Sequence, residues 1–183
     1  MREISKLLKR LILTVMVLSV GGCGLIGEPT GAPDICPVPA ILKELQEMVR
    51  FKPGAGTDLS DVIVHVKMNT FNGVCDIGEK EISLSMAIEM TALRGAAMVE
   101  DNARFSFLVW ILDRNKEVLS RNRFPIISKF EGRDSRIDFS DTFDVIIPQR
   151  ADHAPTDWIV YMGLELSKEE LAYNRRRLGS KKR

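Results

Sequence analysis

The chain has 183 residues, of which 45% are hydrophobic, and a formal net charge of +1, which fits one globular domain of ordinary size with a real core. Residues 1–22 carry four cations and one anion, so removing them leaves a net charge of −2, and setting aside the six cations of residues 175–183 leaves −8 on the body between. The three cysteines form no Cys-x-x-Cys pair, which argues against a thioredoxin-like redox site and a zinc knuckle.

Residues 1–22 have the features of a secretory signal peptide: a basic start, an apolar run from Leu11 to Val20, and two glycines before a cut. The apolar run has about ten residues, well short of the roughly 20 that a membrane-spanning helix needs. We therefore expect the chain to be exported, which argues against a nucleic-acid partner and predicts an oxidising compartment for its cysteines.

The end of this segment, Val20-Gly21-Gly22-Cys23, resembles the lipobox of bacterial lipoproteins. In that family the cysteine thiol receives a diacylglyceryl group, the chain is cut before it, and the new amine is acylated, commonly with palmitate. The resemblance implies a membrane anchor at Cys23. Because Gly24 and not aspartate follows, it also implies the outer membrane, facing the periplasm, with the inner membrane as the alternative. An ordinary cleaved signal with a chance cysteine is the other interpretation.

Residues 23–35 are then the lipidated cysteine and a Gly/Pro-rich tether, which spans at most roughly 40 Å when fully extended. Cys36 and Cys75 are the two remaining cysteines, and we expect them to form a disulfide because exported cysteines usually pair. Two buried free thiols are the alternative.

Residues 38–51 place apolar side chains at helical spacing, which predicts a short helix, although Pro37 and Pro39 also allow an extended segment. From residue 61 the hydrophobic period changes to two, the pattern of strands with one buried face. Trp110 and Trp158 fall at strand positions and are expected in the core. We predict strands at 62–69, 82–91, 104–112, 117–124, 126–130, 137–139, 145–147 and 158–166, turns at 53–56, Asn72-Gly73 and 113–116, and a break at Pro125.

Seven or eight strands with evenly spaced turns are typical of a β-sandwich of the immunoglobulin or fibronectin III kind, here over residues 36–167, with a small barrel as the alternative. Ser167 and Glu170 fit a capping box, which predicts a short helix over 168–177. Residues 168–183 thus form a C-terminal helix and a basic tail. The tail has three interpretations: a solvated end, a segment on anionic lipid head groups, or a binding site for an acidic envelope protein or the cell-wall polymer.

Several blocks of residues carry a wider resemblance. They are Cys36-Pro37, the stretch Arg50-Phe51-x-Pro53-Gly54-x-Gly56-x-Asp58-Leu59-x-Asp61-Val62, Gly73-x-Cys75, the Ala92-x-Arg94-Gly95 turn, and Glu169-Glu170-Leu171-Ala172-Tyr173-Asn174-Arg175. Through them, most of residues 36–176 resemble a family of uncharacterised lipoproteins from α-proteobacteria. The resemblance implies the membrane address, the disulfide and an extended segment after Cys36, and it implies no known activity.

The two histidines, His65 and His153, stand far apart, and the sequence contains no metal-ligand or nucleophile motif. We therefore predict no metal, no cofactor and no catalytic residue. A candidate binding surface lies in the turn-rich blocks, since loops on a rigid sandwich commonly carry recognition. A structural network of turn hydrogen bonds and ion pairs is the other interpretation of these residues. They are Arg50, Asp58, Asp61 and Arg94.

The sequence thus predicts a membrane-anchored periplasmic lipoprotein that acts as a binding or assembly accessory in the bacterial cell envelope, and not an enzyme. Edge strands and turn loops would supply the contact surface for an envelope protein. The alternative is a small periplasmic ligand-binding protein or enzyme whose site forms only in three dimensions. A structural spacer between membrane and cell wall is a third interpretation.

Overall fold

The computed structural model describes residues 36–54 and 56–180. The expected signal peptide, Cys23 and the tether lie outside the described residues. Among the helices of the described part, none is long and apolar enough to cross a membrane.

Two four-stranded sheets form a sandwich-like arrangement, and a helix follows them, as the sequence predicts. The strands are β1 (Pro39–Ile41), β2 (Glu47–Phe51), β3 (Val62–Ile77), β4 (Glu81–Arg94), β5 (Asn102–Leu112), β6 (Val118–Lys129), β7 (Arg136–Pro148) and β8 (Ile159–Leu164), and the helix is α1 (Lys168–Ser180). One sheet has the order β1-β8-β5-β6 and the other β2-β3-β4-β7. Paired strands are antiparallel except β1 and β8, which run parallel. Single turns of 3-10 helix occupy Lys43–Leu45, Leu59–Asp61 and Pro155–Asp157.

The core is built from alternate residues of the long strands. Its inward-facing residues on β4 are at most 6% exposed, as their period of two predicts; they are Ile82, Leu84, Met86, Ile88 and Met90. An aromatic cluster joins the two sheets. The ring centroid of Phe143 on β7 lies 5.0 Å from that of Phe107 on β5 and 4.8 Å from that of Phe124 on β6. Such rings bury large apolar areas and account for much of a core's stability.

Strand β3 runs unbroken through Asn72 and Gly73, so the turn predicted there is wrong. A bulge between Met68 and Thr70 shifts the register of β3 against β4, so the residues facing the core are even-numbered before it and odd-numbered after it. Gly73 lies opposite Met86, and a Cβ atom on it would stand 2.7 Å from the carbonyl oxygen of Ser85. The glycine therefore permits close strand packing, and the chain reverses at residues 78–80 instead.

The predicted interruptions of the later strands are also wrong. β6 continues through Pro125, which it tolerates because it is an edge strand of its sheet. β7 joins the runs predicted at 137–139 and 145–147 into a single strand. Polar residues between the two runs interrupt the apolar pattern of the sequence. Phe143 lies among them, however, and points into the core with 6% of its surface exposed.

The helix predicted over residues 38–51 is wrong, and the extended alternative is confirmed. β1 pairs with β8 in one sheet and β2 pairs with β3 in the other, and the 3-10 turn Lys43–Leu45 lies between β1 and β2. Strand pairing overrides the local helical spacing because it satisfies the backbone and buries Met48 completely.

Of the two tryptophans, Trp158 is 3% exposed, as predicted. Trp110 is not in the core: it is partly exposed, opposite Tyr161 of β8 and Arg121 of β6. Its neighbours Val109 and Ile111 are both buried. Because successive residues of a strand face opposite sides, Trp110 points outward.

The predicted disulfide is present between Cys36 and Cys75, whose Cα atoms lie 6.3 Å apart. Cys36 precedes β1 in one sheet, and Cys75 lies on β3 in the other. The bond therefore ties the two sheets together.

The connections between strands gather at two ends of the sandwich, because consecutive long strands run in opposite directions. The disulfide end holds Cys36 and the connections 78–80, 113–117 and 149–158, including the predicted turn at 113–116. The helix end holds the connections 52–61, 95–101, 130–135 and 165–167, and α1 begins there.

Replacing Cys36 and Cys75 together by serine should lower the free energy of unfolding by about 4 kcal/mol, because the sequence separation of 39 closes a long loop in the unfolded chain. Urea unfolding with and without reductant measures this. The wild-type protein should lose stability in reductant, while the double variant should not respond. Equal stability of the two proteins in the absence of reductant would contradict the prediction.

Candidate functional site

The helix α1 is fixed at its start by a reciprocal pair of hydrogen bonds. The backbone N–H of Glu170 donates to the hydroxyl of Ser167 at 3.2 Å, and the carboxylate of Glu170 accepts from the backbone N–H of Ser167 at 2.8 Å. This is the capping box that the sequence predicts. The helix continues to Ser180, three residues beyond the predicted end.

Glu170 also holds Arg50, the first of the four candidate binding residues. Arg50 donates from Nε to the Glu170 carboxylate at 3.0 Å and from Nη1 to the carbonyl oxygen of Arg104 at 2.8 Å. Glu170 is 8% exposed. Its carboxylate therefore replaces hydrogen bonds to water with one from the Ser167 backbone N–H and a charge-assisted one from Arg50. Arg50 thereby joins β2 to α1 and to β5 of the opposite sheet, which is a structural role.

Further along the helix, Asn174 covers the free edge of β2. Its amide nitrogen donates to the carbonyl oxygens of Glu44 and Glu47, at 2.9 and 2.6 Å. An edge strand with unpaired backbone groups invites pairing with another chain. Asn174, which is 4% exposed, satisfies two such groups from within the molecule.

A charge cluster follows one turn later. The carboxylate of Glu47 accepts from Nη1 of Arg177 at 3.1 Å and lies 3.2 Å from Nε2 of His65. Burial alone would raise the pKa of Glu47, but Arg177 and His65 more than offset it and hold that pKa below its usual value. The carboxylate thus fastens the second half of α1 to the outer face of β2 and β3.

Arg94, the second candidate cation, fixes two loops of the helix end. It donates from Nη1 to the carboxylate of Asp101 at 2.8 Å and from Nε to the carbonyl oxygen of Asp134 at 3.0 Å. Its guanidinium carbon lies 4.9 Å from the ring centroid of Phe130. The connections 95–101 and 130–135 are therefore held together by Arg94.

The two candidate acids lie in the remaining long connection. The carbonyl oxygen of Asp61 accepts from the backbone N–H of Lys52 at 3.0 Å, and its carboxylate lies 4.0 Å from Nζ of the same lysine. Asp58 is exposed. All four predicted residues thus lie at the helix end; Arg50 and Arg94 belong to separate hydrogen-bond networks, and neither network includes a described contact with Asp58 or Asp61.

The structure adds a groove that the sequence did not predict. It has a volume of about 930 Å³ and lies between the connection 52–57 and the first two turns of α1. Phe51 and Tyr173 meet edge to face in its wall, with ring centroids 5.1 Å apart. Lys52 and Arg176 also line it. The sequence contains only a weak indication of this groove. The three-residue spacing of Glu170 and Tyr173 places them on one face of α1, but it does not show what that face meets.

Two large apolar side chains stand out from the surface of this end. Leu59 in the connection 52–61 is 86% exposed, and Val99 in the connection 95–101 is 95% exposed. Leu59 and the turn residues Gly95 and Ala96 line one shallow cavity. Loops on a rigid framework commonly carry recognition residues, which makes these two side chains candidates for a contact surface.

The chain matches no protein family, no curated protein and no solved structure. Within residues 36–54 and 56–180, no three His, Cys, Asp or Glu side chains come together in a way that would hold a metal ion. A functional proposal therefore depends on the surface of the helix end and on the expected address of the chain.

Replacing Glu170 by alanine should lower the free energy of unfolding by about 1–3 kcal/mol, because it leaves the Ser167 N–H and Arg50 without their acceptor. Replacing the neighbouring Glu169, which is exposed and accepts only from the hydroxyl of Ser167 at 2.8 Å, should cost less. Urea unfolding of both variants measures the difference. Equal losses in the two variants would refute the structural role of Glu170.

Replacing Glu47 by glutamine should destabilise the protein at neutral pH and progressively less in acid. The folded-state pKa of Glu47 lies below the ordinary value of 4.5, so its contribution is present above that value and is lost as pH falls through the lowered one. Unfolding curves from neutral pH to below 4.5 measure this, with Glu131→Gln as the exposed control for removing one charge. A stability difference that stays constant with pH would contradict the prediction.

Proposed function

We propose that the chain is a membrane-anchored lipoprotein of the bacterial cell envelope, acylated at Cys23 and facing the periplasm, and that it binds an envelope protein as an assembly accessory. The observation that carries the proposal is the helix end, where Val99 stands on a connection held by Arg94 and Leu59 stands on one closed by the backbone hydrogen bond from Lys52 to Asp61. Rigid loops that carry apolar side chains lose little entropy on binding.

The position of this surface in the domain supports the same proposal. Cys36, which precedes β1, lies at the disulfide end, and the tether that we expect would join the domain there. The helix end is on the opposite side of the domain, so an anchor would leave its loops free for a partner. The lipobox resemblance of Val20 to Cys23 and the wider resemblance to α-proteobacterial lipoproteins support the address.

The order of the strands supports an immunoglobulin or fibronectin III-like topology as a further part of the proposal. In immunoglobulin domains, strands B and E are neighbours in one sheet and C and F in the other. Here β4 and β7 are neighbours in one sheet and β5 and β8 in the other, in the same chain order, and β6 flanks β5 as C′ flanks C. The chain departs from the pattern where β1, parallel to β8, takes the place of the last strand.

Replacing both Leu59 and Val99 by aspartate should lower the yield of a cross-linked partner about tenfold or more, because it puts two charges into the apolar contact. The full chain, tagged after residue 183, is cross-linked in the native envelope, purified and analysed by mass spectrometry. Palmitate labelling of the wild type, compared with the Cys23→Ser variant, tests separately whether Cys23 is acylated. Val74→Asp with Val118→Asp is the matched control, since these exposed valines lie on β3 and β6 towards the disulfide end. Unchanged yield in the Leu59/Val99 variant would overturn this surface.

The second candidate function, a small periplasmic ligand-binding protein or enzyme, is favoured by one observation: the groove of about 930 Å³ has the volume of a small-molecule site. Its wall combines an aromatic pair with charged groups. If the same cross-linking experiment returns only the monomer from intact membranes, the accessory proposal fails. A screen of small ligands against the folded protein, with Tyr173→Ala as the groove variant, then becomes the decisive measurement.

A further inference from the structure

The outer face of the β1-β8-β5-β6 sheet carries two aromatic residues beside two arginines. Trp110 of β5 lies directly opposite Tyr161 of β8 on one side and Arg121 of β6 on the other. Both aromatic residues are partly exposed. Arg123 is the next outward residue of β6, because successive residues of a strand face opposite sides. We call Trp110, Tyr161, Arg121 and Arg123 the aromatic-basic face.

The 3-10 turn Lys43–Leu45 borders this face on the side of the helix end. Gly163 of β8 points outward, since its two neighbours in the strand are completely buried. A Cβ atom on Gly163 would stand 2.4 Å from that of Leu45, so the glycine allows the turn to lie directly on β8. A ligand that lies along Tyr161 and Trp110 would therefore have the turn at its side.

The outer faces of the two sheets differ in the sign of their charge. On the β1-β8-β5-β6 sheet, the outward residues and the one directly after β8 include four cations and one carboxylate. They are Arg104, Arg121, Arg123, Lys129 and Glu165. On β4 and β7 of the other sheet, the outward residues include four carboxylates and one cation. They are Glu81, Glu89, Asp138, Asp144 and Arg136. An anionic ligand is therefore attracted to the first face and repelled by the second.

The cations of the aromatic-basic face are only partly neutralised within the molecule. Glu165 accepts from Nε of Arg123 at 2.6 Å and lies 3.9 Å from Nη2 of Arg121, so two guanidinium groups share one carboxylate. The side chains of Arg121 and Arg123 are 57% and 58% exposed. Exposed ion pairs contribute little stability, so an external carboxylate can take the place of Glu165 at small cost. Arginine binds such a carboxylate through two parallel N–H bonds.

We propose that the aromatic-basic face binds a glycan strand that carries carboxylates, which is the chemistry of the bacterial cell wall. The ring faces of Trp110 and Tyr161 carry partial negative charge, against which the C–H groups of a sugar ring pack. The two guanidinium groups beside them bind the carboxylates. Tryptophan, tyrosine and arginine are also the residues that contribute most to binding at interfaces.

This inference rests on the proposed function, because it needs a chain that is exported to the compartment of the cell wall. It uses a different surface, however. The aromatic-basic face lies on the side of a sheet, whereas Leu59 and Val99 stand on loops of the helix end. The domain would therefore bind the wall and keep those loops free for a protein partner.

Sedimentation with cell-wall sacculi tests the proposal. The full mature chain, purified in detergent, is mixed with sacculi freed of protein and lipid, and the bound fraction is measured over a range of sacculus concentrations. Wild type should bind. Converting the carboxylates of the sacculi to amides should weaken binding about tenfold or more, and added salt should also weaken it. A polyglutamate resin, which offers carboxylates without sugars, should bind about tenfold more weakly than sacculi.

Variants identify the face. Arg121→Gln with Arg123→Gln should weaken binding to sacculi more than about tenfold, and Trp110→Ala about tenfold. The matched control removes two exposed cations on the side of the other sheet, through Lys67→Gln and Lys80→Gln, and should bind as wild type does. Circular dichroism confirms that each variant is folded. Absence of wild-type binding, equal losses in the arginine variant and the control, unchanged binding of Trp110→Ala, or equal binding to polyglutamate would overturn the proposal.

This experiment fails or succeeds independently of the cross-linking experiment. If wild type does not bind sacculi while Cys23 is labelled and a partner is cross-linked, only the glycan inference fails. If wild type binds sacculi through the aromatic-basic face while labelling and cross-linking fail, the anchor and the accessory role fail and the glycan site remains.

Discussion

The hydrogen bonds of the Glu170 carboxylate are the contact on which the arrangement of the helix end depends. One carboxylate closes the first turn of α1 through Ser167 and holds Arg50, which in turn reaches the backbone of the opposite sheet. A buried carboxylate left without these donors would pay a large desolvation cost. Helix, edge strand and second sheet therefore keep one relative position, which fixes the side of the groove that α1 forms.

A single backbone irregularity plays a comparable part in the sheets. Without the bulge between Met68 and Thr70, the second half of β3 would present its other face, and Cys75 would point away from the core side. With it, Cys75 lies opposite the buried Leu84 and reaches Cys36 ahead of β1. The bulge thus sets the direction of the Cys75 side chain. That direction allows the disulfide to Cys36, which ties the two sheets together.

Much of the fold could be predicted from the sequence because several of its strands alternate between apolar and polar residues; β4 shows this best. The capping box and the disulfide could also be predicted, since each depends on residue identity and spacing alone. Several of the errors arise because strand pairing in the folded chain decides what the local sequence leaves open. Glycine and proline commonly interrupt strands, but Gly73 and Pro125 both lie within paired strands. Residues 38–51 follow helical spacing but form two strands. The candidate site could be predicted only in part. The sequence identified Arg50 and Arg94 as candidates, but it could not show their contacts, because the partners come from distant segments of the chain.

The four sheet edges suggest why loops, and not edge strands, carry the recognition that we propose. β1 is only three residues long, β2 is covered by Asn174 of α1, and β6 contains Pro125. β7 carries Asp138, Asp141 and Asp144 along its length. Short, covered, proline-containing and charged edges all discourage the addition of a foreign strand. The loops of the helix end, which carry Leu59 and Val99, do not depend on a strand edge, and a domain held at its other end would present them first.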